Sequence, residues 1–300
     1  MEKESVIFDI YPVRQLKTKV ADYAQLMKLR LSFLVVFSAA MAYLWECNRL
    51  VNPLIIWLLS VGGFLITGAA NTMNQIIERD SDKLMKRTCY RPLSSGRMEV
   101  SEALTFAFIT GGTGLILLLI INGLCALLGI AAMALYAGIY TPLKKVNRLV
   151  ILPGAIAGSL PVVIGCTAAA GKISAGAILL FAVQFLWQFP HTWSIAWLLD
   201  EEYAKAGIKM MPSAGGRTRL SAIIIMVSTF LIIPAGLLLH LYHPLSETVI
   251  WLIALAGSGL ALSAFRLWRN LTQKSALFLM FGSFAYLPFV LIVLIIAKFL

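Results

Sequence analysis

Apolar stretches close to the length of a membrane-crossing helix recur along the whole chain, separated by short polar segments. A helix needs about 20 mostly apolar residues to cross the hydrocarbon core of a bilayer. The pattern therefore predicts an all-α, polytopic integral membrane protein with nine transmembrane helices in one bundle. A polar N-terminal segment, 1–28, precedes a single membrane domain, 29–300. The predicted spans are 31–47, 53–77, 103–121, 124–142, 149–170, 174–199, 220–241, 248–265 and 276–298.

Composition agrees with this interpretation. Hydrophobic residues make up 60% of the chain and charged residues only 13%, whereas about a quarter of the residues of a soluble domain are charged. A soluble protein of 300 residues could not bury so many apolar side chains. The four cysteines, Cys47, Cys89, Cys125 and Cys166, form no CxxC or CxxH pair, so neither a disulfide framework nor a metal cluster is predicted.

The basic residues predict the orientation of the chain in the membrane. If the N-terminus is cytoplasmic and the nine spans alternate, 22 of the 25 Lys and Arg residues fall on the cytoplasmic side. Only Arg49, Lys172 and Lys298 fall outside. Cytoplasmic loops are enriched in Lys and Arg, so a cytoplasmic N-terminus and an external C-terminus are expected. The same rule explains the net charge of +11 without a nucleic-acid partner. The N-terminus also lacks the apolar core and cleavage site of a signal peptide.

An acidic face is predicted where the second span ends. Asn74, Glu78 and Asp82 are spaced four residues apart, so a continuing helix places all three on one face. Asp80 falls off that face. Carboxylate and amide oxygens suit Mg²⁺, which commonly bridges protein carboxylates to substrate phosphates. The alternative is a polar helix end leaving the membrane, but Asn71 and Asn74 lie at membrane depth, where polar groups are costly unless used.

Basic residues near this face predict an anion site. Arg87 and Arg91 follow the carboxylates, and guanidinium groups bind phosphate oxygens through paired hydrogen bonds. Lys144 and Lys145 lie where the fourth span ends. They are either ordinary cytoplasmic charges or further phosphate contacts. Together with the acids, these residues suit a metal–diphosphate complex.

A second group of candidate residues lies at the end of the sixth span. His191 follows Trp187 and Pro190 inside an apolar run, so it is either a satisfied core residue or a functional group at membrane depth. Glu202 begins a second acidic-then-basic helix end and is a fourth candidate metal ligand. Two such ends could hold two metal ions on one diphosphate.

The fifth span has small residues at near-helical spacing, at Gly154, Gly158 and Gly165. They permit close helix packing or make room for a flat ligand, and packing is the favoured interpretation.

Two motifs resemble those of a known family. The first resembles the Asp-rich motif of the intramembrane aromatic prenyltransferase superfamily. It reads Asn74-x3-Glu78-x-Asp80-x-Asp82-x4-Arg87-Thr-x2-Arg91-Pro92-Leu93. The second resembles the protohaem IX farnesyltransferase branch. It combines Trp187-Gln-x-Pro190-His191 with Glu202-Tyr203-x2-Ala-Gly207-x2-Met210-x-Pro212. Departures from the pattern are Glu202 where Asp is expected and Thr192 where Phe is usual.

The resemblance implies a reaction and its partners. Farnesyl diphosphate, haem B and water would give haem O and diphosphate, with Mg²⁺ as the cofactor. Arg87, Arg91 and Lys144 or Lys145 would bind diphosphate. Trp187 and His191 would face the haem, where His191 contacts the porphyrin, ligates its iron or orients water. A bacterial-type inner membrane, a site facing the cytoplasm, and a haem A synthase or terminal oxidase assembly as partner are also implied.

Two alternatives to this function stay open at the level of sequence. One is a related prenyltransferase that acts on a quinone precursor or on chlorophyllide. The other is a transporter of an anionic lipid or haem, which could also have basic vestibules and unwound helices. A transporter would not need paired acidic and basic motifs at adjacent helix ends.

Overall fold

The computed structural model describes residues 19–47 and 51–299, and within them every regular element is helical. This confirms the predicted all-α fold class. The α-helices are α1 (Lys19–Met27), α2 (Leu29–Glu46), α3 (Pro53–Asp82), α4 (Val100–Ile121), α5 (Gly123–Met133), α6 (Thr141–Leu143), α7 (Ile151–Ala170), α8 (Ala175–Leu198), α9 (Asp200–Lys205), α10 (Arg219–Phe230), α11 (Ile232–Leu237), α12 (Glu247–Asn270) and α13 (Gln273–Phe299). A π-helix, Ala134–Tyr140, joins α5 to α6. Residues 1–18 of the predicted N-terminal segment lie outside the described residues.

Eight helical stretches in the described part of the chain are long and apolar enough to cross a membrane. They correspond to eight of the nine predicted spans. The remaining prediction, 174–199, coincides with α8, which has 24 residues. Gln184, Gln188 and His191 make α8 less apolar than the other spans. The count of nine spans and the orientation of the termini stay predictions.

Side-chain caps define where several helices begin. Asn52 accepts a hydrogen bond from the N–H of Leu54 at the start of α3, and Asn122 accepts one from Cys125 at the start of α5. Ser174 and Thr218 cap α8 and α10 in the same way. Each cap satisfies an N–H group that has no partner within its own helix. These polar residues explain why the spans begin where they do.

The end of the bundle opposite the acidic face is closed by contacts between distant parts of the chain. The Lys298 ammonium group donates hydrogen bonds to the carbonyl oxygens of Leu44 and Trp45 at the end of α2. Tyr242 donates to the Glu46 carboxylate at 2.7 Å, and Gly176 at the start of α8 packs against both side chains. α2, α8 and α13 therefore meet at this end.

The core lies along the axis of the bundle, and large apolar side chains also cover its outside. Trp45 and Trp197 are fully buried. Phe108 and Trp251 point outward and are largely exposed. An exposed apolar surface of this kind is suited to lipid and not to water.

Gly165 sets the distance between α2 and α7. A Cβ atom at this position would collide with the backbone carbonyl of Ala39 on α2. Small residues at membrane helix interfaces let two backbones approach closely. The structure therefore favours packing as the role of Gly165, as expected from the sequence.

Replacing Gly165 with alanine should destabilise the protein. The added methyl group meets backbone, which cannot rotate away, so we expect a loss of about 1–3 kcal/mol and a lower Tm in detergent. Gly112→Ala is the matched control, because nothing lies within 4 Å of a Cβ at that helical glycine. Alanine there should leave the Tm unchanged or raise it slightly. Equal Tm values for the two variants would contradict this account of the α2–α7 contact.

Candidate active site

The acidic face is formed by one uninterrupted helix. α3 runs for 30 residues to Asp82, beyond the apolar stretch that predicted it. Asn74, Glu78 and Asp82 therefore keep helical spacing and share one face, as predicted. Asn74 and Asp82 are buried, whereas the side chain of Asp80 is 72% exposed and pairs with Arg79 and Lys83.

Each residue of the acidic face contacts a basic side chain. Lys28 Nζ donates to Asn74 Oδ1 at 2.8 Å, and Lys144 donates to Glu78 Oε1 at 2.9 Å. Arg91 donates to Asp82 Oδ2 at 2.6 Å. The structure thus brings predicted acids and predicted phosphate-binding residues into direct contact.

One carboxylate oxygen of Asp82 lacks a hydrogen-bond partner. Oδ2 is occupied by Arg91, but Oδ1 is buried and has no hydrogen-bond partner among the described residues. Leaving a buried acceptor unsatisfied costs free energy, so such a group calls for a functional explanation. A cation bound at Oδ1 would remove that cost.

Lys28 also lies on the acidic face, although its place in the sequence predicts only a cytoplasmic charge. It joins α1 to α2 in the left-handed conformation, with φ at 48°, which turns the chain between the two helices. The carbonyl of Met27 next to it accepts hydrogen bonds from Ser32 and Asn71, which fixes the turn against α3. Burial and the nearby charges of Arg91 and Lys144 hold the pKa of Lys28 well below its usual value. A non-glycine left-handed turn has no signal in a single sequence.

Lys144 is held in place from two sides, whereas Lys145 is not. The Lys144 ammonium group lies 4.4 Å from the centre of the Tyr140 ring. The backbone carbonyl of Lys144 accepts a hydrogen bond from the N–H of Lys209 at 2.7 Å. Burial lowers the pKa of Lys144, but the Glu78 carboxylate together with Tyr136 and Tyr203 outweighs this effect, and the pKa is raised. Lys145 is exposed. In the structure Lys144, and not Lys145, lies against the acidic face.

The second acidic motif touches the loop after the first. Glu202 is buried, its Oε2 accepts a hydrogen bond from Lys86 N–H at 2.7 Å, and its Oε1 lies 3.6 Å from Lys205. Arg87 is exposed, next to this contact in sequence. The two motifs thus meet at one end of the bundle, although Glu202 faces protein groups.

The donor set fits a divalent cation that is shared with substrate. Within residues 19–47 and 51–299, no group of three or more His, Cys, Asp and Glu side chains could hold a metal alone. Mg²⁺ is often held by one or two carboxylates plus substrate phosphates and water. Asp82 Oδ1, Glu78 and Asn74 offer oxygen atoms of the right kind. The metal site predicted from the sequence stays a prediction.

His191 and Trp187 form a separate aromatic wall between α8 and α13. Their rings stack with centroids 4.4 Å apart, and Phe284 meets the imidazole edge-on at 4.8 Å. His191 Nδ1 lies 3.0 Å from Ser283 Oγ, and Trp187 donates to the Ser283 carbonyl at 2.7 Å. Ser283 has no signal in the sequence, because only the fold brings α13 beside α8.

α7 connects the wall to the acidic face. Gly154 packs against the Tyr140 ring, over which Lys144 lies, and Gly158 packs against Gln188, one turn before His191. These glycines are one helical turn apart, about 5–6 Å along the helix. α7 therefore packs against Tyr140, which lies beside Lys144, and against Gln188 on the helix that carries the aromatic wall.

Comparison with known proteins identifies the family and supports the fold. A model of the UbiA prenyltransferase family matches residues 35–292. A protoheme IX farnesyltransferase of Cytophaga hutchinsonii is 43% identical over 277 residues, which cover 92% of this chain and 97% of the relative. A structure of digeranylgeranylglyceryl phosphate synthase superposes with a TM-score of 0.77 at 18% identity, covering 93% of this chain and 98% of that one. A UbiA homologue from Archaeoglobus fulgidus, bound to GPP and Mg²⁺, has a TM-score of 0.68 at 17% identity and covers 91% and 99%.

Proposed function

Because the chain belongs to the UbiA prenyltransferase family, we propose that it transfers the farnesyl group of farnesyl diphosphate to a vinyl group of haem B. With water, the products are haem O and diphosphate. The observation that carries this proposal is the 43% identity to a protoheme IX farnesyltransferase over nearly the whole of both chains. The acidic face, with its three basic side chains, supports the prenyl-diphosphate half of the reaction.

The cationic side chains bind the leaving group. Arg91 and Lys144 are already ordered beside Asp82 and Glu78, and exposed Arg87 is free to reach the diphosphate. Lys28 adds a further hydrogen-bond donor. Such preorganised charges stabilise the negative charge that develops as the allylic C–O bond breaks. Mg²⁺ held by Asn74, Glu78 and Asp82, with Glu202 as a fourth candidate, would neutralise the diphosphate further.

The acceptor lies toward the aromatic wall. The farnesyl carbocation forms a C–C bond to the terminal carbon of the haem vinyl group, which leaves a cation on the carbon next to the pyrrole. Water adds there and loses a proton, which completes the hydroxyethylfarnesyl group. Trp187 and His191 form the wall against which the porphyrin would bind.

We place the site on the cytoplasmic side of a bacterial-type inner membrane. The distribution of Lys and Arg supports this orientation, because the acidic face lies at the predicted cytoplasmic ends of the helices. Haem O would then pass to a haem A synthase or to terminal oxidase assembly. The alternative acceptors, a quinone precursor or chlorophyllide, would use the same diphosphate chemistry but no haem.

Expression in a host that lacks its own haem O synthase tests the proposal. We expect haem O to appear in the membrane extract, where mass spectrometry detects the added hydroxyethylfarnesyl group. Purified protein should consume farnesyl diphosphate only when haem B is present. Farnesyl transfer to a quinone precursor without haem would replace the proposed function with the related activity. Uptake of haem or lipid without any transfer would favour the transporter.

A further inference from the structure

The hydroxyl group of Ser283 has two close neighbours and only one proton. Ser283 Oγ lies 2.6 Å from the carbonyl oxygen of Met280 and 3.0 Å from His191 Nδ1. A carbonyl oxygen cannot donate, so the short oxygen–oxygen contact requires that the hydroxyl proton points at Met280. The oxygen of Ser283 is then an acceptor toward His191. Nδ1 must carry the proton of the imidazole ring.

This proton assignment determines the other ring nitrogen. With the proton on Nδ1, a neutral imidazole has its lone pair on Nε2. Nε2 has no hydrogen-bond partner among the described residues. It is also not one of the completely buried polar atoms of those residues that lack a partner. The lone pair on Nε2 therefore remains unpaired and available to a ligand.

The ring is also fixed in orientation. The Trp187 ring stacks on the His191 imidazole at an angle of 16°, and the Phe284 ring is nearly perpendicular to the imidazole. Trp187 Nε1–H donates a hydrogen bond to the Ser283 carbonyl. An imidazole whose Nδ1–H donates to an oxygen while Nε2 stays available is the usual arrangement of a metal-ligating histidine. The only metal that the proposed reaction brings to this wall is the iron of its porphyrin substrate.

From these contacts we propose that His191 ligates the iron of the porphyrin acceptor through Nε2, and that Ser283 on α13 is the positioning residue that fixes its tautomer and direction. The inference rests on the proposed function for the identity of the acceptor. Iron ligation would hold the porphyrin at one depth, so that the vinyl group is presented to the farnesyl cation.

Haem absorption spectra of the purified protein test the inference. Ferric protohaem should give a histidine-ligated spectrum with the wild type, and His191→Gly should lose it. Added imidazole should restore the spectrum of that variant. Ser283→Ala should weaken ferric protohaem binding by about ten- to a hundredfold, the usual effect of losing an outer partner of a ligating histidine. The Trp187 hydrogen bond survives in this variant, because it uses the backbone carbonyl.

Iron-free protoporphyrin IX separates ligation from packing. It should bind wild type and Ser283→Ala equally, because it offers no iron to His191. Ser228→Ala is the matched control, since Ser228 also donates to a carbonyl three residues back but touches no histidine. A histidine-ligated spectrum in His191→Gly without imidazole would overturn the inference, as would equal losses of both porphyrins in Ser283→Ala. Haem O formation by the wild type, assayed in the same preparation, reports separately on the proposed function.

Discussion

Replacing Asp82 with asparagine is expected to remove farnesyl transfer while the protein stays folded. The amide oxygen can still accept the Arg91 hydrogen bond, which places the NH₂ group where the free Oδ1 now lies. A hydrogen-bond donor at that point repels a cation. Since a bound metal contributes several kcal/mol to the transition state, kcat/KM should fall at least about a hundredfold. Haem O formation at fixed Mg²⁺, with and without a chelator, measures the effect.

Asp80→Asn is the control for Asp82→Asn. Asp80 lies two residues away in the same motif, but its side chain is largely exposed and pairs only with surface cations. Its replacement should change kcat/KM by no more than a few fold, and both variants should keep the wild-type Tm within a few degrees. Near-normal haem O yield from Asp82→Asn would rule out Asp82 as a metal ligand. Equal losses from the two variants would indicate an effect of net charge alone.

The sequence was sufficient to predict the helical fold and the acidic face, because both depend on local patterns. Apolar length identifies spans, and spacing by four residues identifies one face of α3 as long as the helix continues to Asp82. The family assignment is confirmed by the match over residues 35–292. The span at α8 is harder to recognise, since its glutamines and His191 lower its apolar character.

The partners of the site residues could not be predicted, because they depend on contacts between distant segments. Lys28 reaches Asn74 across 46 positions, and Ser283 reaches His191 across 92. Neither pairing leaves a spacing pattern in one sequence. The choice between Lys144 and Lys145 was likewise open, since adjacent residues point in different directions from a helix end. In the structure, only Lys144 meets Glu78.

The difference between these two lysines gives a second prediction. Lys144→Gln should lower kcat/KM for farnesyl diphosphate by about a hundred- to a thousandfold, the usual cost of removing one preorganised group that stabilises developing charge. Lys145→Gln should change kcat/KM less than threefold, because the exposed Lys145 side chain is not held beside the acidic face. Initial rates of diphosphate release, measured over a range of substrate concentrations, provide both values.

Folding is the competing explanation for a loss in Lys144→Gln, because the variant leaves Glu78 without its closest cation. Lys28 and Arg91 also act on Glu78, so the carboxylate stays compensated and the Tm should fall only slightly. Lys144→Arg keeps the charge and should retain more activity than Lys144→Gln. Similar rates for Lys144→Gln and Lys145→Gln would mean that the diphosphate is bound elsewhere. A large loss confined to Lys144→Gln, at unchanged Tm, would place the leaving group between Lys144 and the acidic face of α3.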